Sequence, residues 1–468
     1  MSSSSNNDSR LYSDPDVYRR FLEFLGGDAD TETTAVYLTH TDGHRVLPDD
    51  MQAVDELSPL MSRGLDIDRS LLDKKSLLVH LDIEYVNFDS PAECYLNAKR
   101  SFKLQEPVIK VIEEVLLKYG IRPLHLLTGQ GHHFIWRVDE KSAATVELCA
   151  MAAENPPAGS PCPGNDLDLE RHEQRWGKAF SGLGRVMEFL AHEIKILAAP
   201  KSAIPVELTA VHVGHGEHGQ REMISIDISE YGDPLWTRVI RLPFSNYLKP
   251  WKSGLLESIG EESSIAPIFT LPLHEIDVAR ALEIRNSAAK TSELAHRACV
   301  RIPEQSAGMG RLVDAYRHSS LWQFHEDYDA ESVEEGMDVS GLSSQLPPCA
   351  AYIVKHPCDL LLKPSGMRLV MRCLLGLGLG PRQIGCLITD IFNDAQHEWG
   401  CNWDIYSPAM RAHFYTRLFA GQLCASLDEA VDFNCASTQE QGFCFDADGC
   451  SLDPWREKLN NKQKEKTL

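Results

Sequence analysis

Apolar and polar residues alternate through Leu77-Leu78-Val79-His80-Leu81-Asp82-Ile83-Glu84-Tyr85-Val86. A period of two marks a strand whose side chains point to opposite faces in turn. Val79, Leu81 and Ile83 therefore share one face, and Asp82 and Glu84 share the other. Leu124 to Leu127 reads as a second short strand, and His132 to Val138 as a third after the turn Thr128-Gly129-Gln130-Gly131. Alternation puts His133 with Arg137 on one face and His132 with Phe134, Trp136 and Val138 on the other. Met223 to Ile228 alternates as well, with Asp227 facing away from its three isoleucines.

A period of 3.6 appears after Pro107, where Val108, Val111, Ile112, Val115 and Leu116 form an apolar stripe that Gly120 ends. Strand, helix and strand in that order predict an α/β core over 16–255, following a disordered Ser/Asn-rich N-terminus over 1–15. Glu154 to Gly164 reads as a loop. Residues 256–340, with a helix near Ile276 to Asn286 and an acidic run at Glu326 to Glu331, read as a helical connecting region. Helical patterns at Met367 to Leu377 and Pro381 to Phe392 predict a helical C-terminal domain over 341–455, with a charged tail over 456–468. No internal repeat is apparent.

At 468 residues and 43% hydrophobic content the chain can bury more than one core, about two to three domains. No apolar run approaches the roughly 20 residues that span a bilayer, and the N-terminus lacks the basic and apolar regions of a signal peptide. The expectation is a cytoplasmic protein with no membrane partner. The net charge of -22 argues against a simple electrostatic nucleic-acid binder. A template would need a local basic groove, for which Lys99, Arg100, Lys103, Arg238, Arg241, Lys249 and Lys252 are the candidates.

Two carboxylates on one strand face raise each other's pKa unless a cation separates them, which makes Asp82 and Glu84 candidates for Mg²⁺ or Mn²⁺. Asp227 offers a third ligand. The Gly129 and Gly131 turn allows tight backbone approach where amides and an imidazole can meet phosphate oxygens. The cationic segment Arg238 to Lys249, bent at Pro243, has the composition to hold a triphosphate.

The ordered set of a strand carrying Asp-x-Glu, then Thr128-Gly129-Gln130-Gly131-His132-His133, then Ile226-Asp227 and Arg241-Leu242-Pro243-Phe244-Ser245, resembles the archaeo-eukaryotic primase superfamily. The resemblance implies an α+β fold: a primase-polymerase core with a mixed sheet and helices, followed by a mainly α-helical C-terminal domain. It implies that Asp82, Glu84 and Asp227 are catalytic metal ligands. It makes Thr128, Gly129, Gly131 and His133 nucleotide contacts, and Arg241, Ser245 and Lys249 the phosphate-side contacts. Tyr247 stands where related catalytic subunits often have a second histidine, and Gln130 where an arginine is common. The implied activity is that of a DNA primase or primase-polymerase. It would make short RNA or DNA strands on single-stranded DNA from nucleoside triphosphates by two-metal transfer, in company with a helicase or other replication protein.

Of 13 cysteines, Cys349 follows Pro347-Pro348, while Cys435, Cys444 and Cys450 cluster near the end. A distant first cysteine and a tight later group suit a helical domain tied around a metal or cluster. The layout resembles the C-terminal domain of the primase large subunit, which implies a [4Fe-4S] cluster, with Zn²⁺ as the alternative. Cys358, Cys401 and Cys424 are possible substitutes. Cys373 and Cys386 fall in apolar helical patterns and read as small core residues, and Cys94, Cys149, Cys162 and Cys299 lack ligand-like neighbours. Two rival functions stand beside this one. A metal-dependent hydrolase would use the alternating His212, His215 and His218, and a non-catalytic replication-associated protein would bind nucleic acid through a primase-like core.

Overall fold

The alternating segments pair into one mixed sheet at the centre of an α+β chain. The computed structural model describes residues 11–28, 31–40, 46–152, 168–216, 219–255, 260, 266–333, 339–356, 358–394, 397–401, 403, 405–445 and 449–465. The N-terminal helix α1 (Pro15–Phe24) is followed by β1 (Leu38–Thr39), β2 (Asp68–Ser70) and the twelve-residue β3 (Ser76–Asn87). Next come α2 (Ala98–Lys118), β4 (Leu124–Leu127), β5 (Gly131–Asp139), the long α3 (Leu169–Ala198), β6 (Val206–Glu207), β7 (Glu222–Asp227), β8 (Val239–Arg241) and β9 (Leu271–Pro272). The sheet order is β6-β7-β3-β5-β4-β9, with β6 and β7 parallel and the other pairs antiparallel. A smaller antiparallel sheet, β1-β2-β8, lies beside it.

The strands expected from alternation all form, and β3 occupies the sheet interior between β5 and β7. The helix expected to open at Pro107 starts earlier, because Phe102 and Gln105 already continue its buried stripe toward the N-terminus. Pro107 lies inside α2, where it removes one backbone donor without ending a helix held down by packing.

Three expected boundaries are corrected by burial. Leu11 and Tyr12 are in the core, and the Tyr12 hydroxyl donates to the Leu65 carbonyl and accepts from the Asn246 amide, so order begins before residue 16. Residues 256–340 are not a connector. Their strand β9 extends the sheet, Phe269 bridges to Asn246, and α4 (Val278–Ile284) packs on α2. The C-terminal helices share the core of the sheet rather than forming a separate one, since buried apolar contact runs unbroken from Leu11 to Leu459. The docking helix is α10, reached after α5 (Ser306–Arg317), α6 (Ser320–Ala330), α7 (Pro348–Lys355), α8 (Pro364–Leu377) and α9 (Pro381–Phe392). In α10 (Pro408–Cys424) Arg411 pairs with Asp233 at 3.2 Å and Arg417 with Glu188 of α3 at 3.1 Å. The loop expected over 154–164 lies outside the described residues. Among the described residues no helix is long and apolar enough to cross a membrane.

Candidate active site

Strand register assembles the site. Asp82 is paired with His133 on one side and with Asp227 on the other, so the three stand in a row across β5, β3 and β7. Glu84 sits two residues further along the same face, and Thr128 follows β4 beside it. These residues line a polar cavity of about 280 Å³ together with His80, Glu230, Arg238, Arg241 and Lys249.

The cavity is short of compensation. Five carboxylates (Asp68, Asp82, Glu84, Asp227 and Glu230) face three cations (Arg238, Arg241 and Lys249). Burial first, then the charges of Glu84 and Asp227, pushes Asp82 well above the usual carboxylate range. Asp227 is raised by burial and by Glu84, although its carboxylate accepts from the Ser229 amide at 2.9 Å. Lys249 lies 3.4 Å from Glu84, whose charge raises the ammonium's pKa. His133 Nε2 is 3.4 Å from Asp82 Oδ1, and burial together with His80 and Arg241 holds its imidazole well below the ordinary range. The buried Oδ1 of Asp82 and Nδ1 of His133 have no hydrogen-bond partner. Such orphans are uncommon in interiors and cluster where a ligand completes the site.

Divalent cations fit this donor set. The acids are in excess, and Asp82 Oδ1 makes no hydrogen bond, with only His133 Nε2 3.4 Å away, so it is free to serve as a ligand. Among the described residues no three ligand atoms of the cavity lie within 4.8 Å of one another; Asp14, Asp16 and His296 do, at the start of α1.

Several expected contacts are placed elsewhere, and the reasons are steric. Ser245 is fully buried, its hydroxyl accepting from the Ile67 amide at 2.7 Å, so it holds the bend after Pro243 instead of facing the cavity. Gly131 makes room for strand pairing, because a Cβ there would stand 1.7 Å from the Ile83 carbonyl oxygen. Gly129 lies under the Tyr247 ring, which a Cβ would meet at 2.3 Å. Arg241 reaches the cavity but is bound to Asp66 at 2.6 and 3.0 Å. Gln130 Oε1 accepts from the hydroxyls of Tyr95 at 3.0 Å and Tyr247 at 3.1 Å, so Gln130 and Tyr247 belong to one local network.

The expected basic groove does not form as a unit. Arg100 is tied to Glu222 at 2.7 Å, Arg238 is ion-paired with Asp233, and Lys99 and Lys103 lie on the other side of the sheet with His132. The side chain of Lys252 is outside the described residues. His212 and His215 lie in a segment without strand structure; His212 is buried 3.4 Å from Glu440, and His218 lies outside the described residues.

Two site features went unread in the sequence. His80 shares the face of Asp82 by simple alternation and donates through Nδ1 to the Glu230 carboxylate at 2.9 Å, its ring 4.5 Å from that of His133. Arg285, remote in sequence, is buried and donates to the Thr128 and Gly129 carbonyls at 3.1 Å each, and no local pattern announces it.

The cysteines are arranged less tightly. Cys349 in α7 is buried, and burial followed by the nearby Cys450 and Cys435 pushes its thiol up to about 11. Cys435 and Cys444 are half-buried and Cys450 is exposed. No three of these sulfurs lie within 4.8 Å among the described residues, whereas a tetrahedral zinc with bonds of about 2.3 Å would draw its thiolates closer than that. Cys373 is a core residue as expected.

The chain matches no family model, no curated protein and no solved structure in these comparisons.

Proposed function

We propose that the protein is a nucleotidyltransferase of the primase-polymerase type, copying single-stranded DNA from nucleoside triphosphates. The observation that carries this reading is the row His133, Asp82 and Asp227 across three paired strands, with Glu84 and Lys249 beside it. Asp82, Glu84 and Asp227 would hold Mg²⁺ or Mn²⁺, which when bound lowers the pKa of an attacking hydroxyl and steadies the departing pyrophosphate. Lys249 occupies the place beside Glu84 that a cation would take, and its side chain is 41% exposed, so it can turn to a phosphate once Glu84 is otherwise compensated. His133, kept neutral, can donate one N–H to a phosphate oxygen without adding charge. Arg241 presents a guanidinium immobilised by Asp66, a fixed dipole for charge that grows on the phosphates. Arg285 holds the carbonyls of the Thr128 turn and keeps that wall in place.

The test is an unprimed single-stranded template with labelled ribo- and deoxyribonucleotides and each metal in turn. Template-dependent products that vanish in Asp82→Ala are expected. Absence of incorporation under every combination, from folded protein, would overturn the reading.

In the C-terminal helices we propose a [4Fe-4S] cluster on Cys349, Cys435, Cys444 and Cys450. Anaerobically purified protein should show broad visible absorption with matching iron and sulfide, both lost in Cys435→Ser. Unchanged metal content in that variant removes the ligand assignment.

A further inference from the structure

An unexplained concavity lies on the face of the sheet that the candidate active site does not use. Alternation along β5 turns His132 to the opposite side from His133, and there a cleft of about 660 Å³ opens between α2 and α4. Phe102, Ile109, Leu273, Ile276, Val278 and Leu282 make its apolar walls. Its floor carries the buried His132 and the half-buried His125, with His125 Nε2 and His132 Nδ1 in a 2.9 Å hydrogen bond. A volume in the few-hundred Å³ range, apolar walls and a few polar groups are the features of a site for a small organic molecule.

Charge at the mouth specifies the ligand further. Every acid lining the cleft already has a partner. Glu106 pairs with Lys110 at 2.7 Å, Glu283 with Arg280 at 2.9 Å, and Glu113 lies 3.5 Å from His125. Asp277 caps α4 by accepting from the Arg280 amide at 2.8 Å. Lys99 and Lys103, one turn apart on α2, make no hydrogen bond and no ion pair among the described residues. Lys99 and Lys103 therefore stand over the apolar slot without an ion pair of their own, Lys103 near enough to Glu106 for its charge to help lower that acid, with hydrogen-bonding rings at the base of the slot.

We propose that this cleft binds an amphipathic organic anion: a flat aromatic body seated between α2 and α4, with its phosphate, sulfonate or carboxylate at Lys99 and Lys103. The apolar walls supply burial of the ring, and the lysines supply the charge-assisted contacts that select an anion. The site is separate from the carboxylate cavity and does not depend on what that cavity does.

The probe is 1-anilinonaphthalene-8-sulfonate, an aromatic body with one anionic group, titrated by fluorescence into the intact protein. One saturable site is expected, weakening as salt rises. Lys99→Glu with Lys103→Glu should weaken binding by about tenfold or more, since two attractive contacts become repulsive. Val278→Trp, which fills the slot, should abolish it, while Asp82→Ala on the other face leaves it unchanged. Competition by adenosine monophosphate would mark the ligand as a nucleotide, and competition by naphthoate without it would mark a non-nucleotide aryl anion; either supports the site. Both lysines are on the surface, so their variant should keep the wild-type melting temperature. Absence of saturable binding, or binding that survives the lysine reversals and the filling variant in folded protein, overturns the proposal.

Discussion

Two groups of acids in this molecule, buried or half-buried, have opposite electrostatic fates. In the sheet cavity Asp82 and Asp227 face other carboxylates and are pushed upward. Near the chain's end Asp428 is buried and Asp432 half-buried, yet Arg372 grips Asp428 at 2.5 and 3.0 Å and Asp432 at 3.1 Å, while Arg368 holds Asp432 at 2.8 Å. Both acids are lowered against the pull of burial, chiefly by Arg372 and Arg368. The difference is one of completeness. The C-terminal cluster carries its own counter-charge and ties α8 to the segment after α10, whereas the sheet cavity is left with a deficit that an added cation would fill.

The largest expected effect comes from breaking the complete cluster. Arg372→Met should leave two carboxylates buried with reduced compensation, and loss of one partner of a buried pair destabilises by about 3–5 kcal/mol. Denaturant unfolding measures it; a loss under about 1 kcal/mol would show that water already compensates those acids.

The incomplete cavity should behave in the reverse sense. Asp82→Ala removes a repelling charge, so metal-free melting should hold or rise, while incorporation falls by about a hundredfold or more because a metal ligand contributes several kcal/mol to the transition state. A marked fall in metal-free stability would mean that Asp82 is structurally paired after all.

Adjacent histidines sharpen the contrast between the two sheet faces. His132 packs edge-on against Phe102 and bonds to His125, so His132→Ala should lower stability by about 2 kcal/mol or more through lost packing. His133→Ala should chiefly raise the nucleotide KM or lower kcat at near wild-type stability. Equal kinetic losses in equally stable variants would break the assignment of faces.

The smallest effect is the pH dependence. Asp428 and Asp432 have folded pKa values below their unfolded ones, so their stabilisation is present above the unfolded carboxylate range, about pH 4, and is lost as pH falls through the folded values. Asp82 and Asp227 are raised, so without metal their ionisation opposes folding as pH climbs past the same range. In Arg372→Met the acid-side loss should shrink. An unchanged acid limb would place the acid-sensitive groups elsewhere.

Much of the site was legible from a single chain because a strand has a strict period of two. That period alone puts Asp82, Glu84 and His80 on one face, and Asp227 and His133 on theirs, with no knowledge of neighbours. It could not say which strands pair. Register across β5, β3 and β7, formed between segments separated by up to about 145 residues, decided that Asp82 stands between His133 and Asp227. Burial decided the rest: Ser245 and Arg241 look alike in a phosphate-binding segment, and only their tertiary partners, Ile67 and Asp66, bury one and restrain the other. The same holds for 256–340, whose two-residue β9 is too short to signal a strand and forms because the edge of β4 is there to pair with it. Local periodicity is a property of the chain and can be read from it; pairing, burial and counter-charge belong to contacts between distant segments, and only the folded structure sets them.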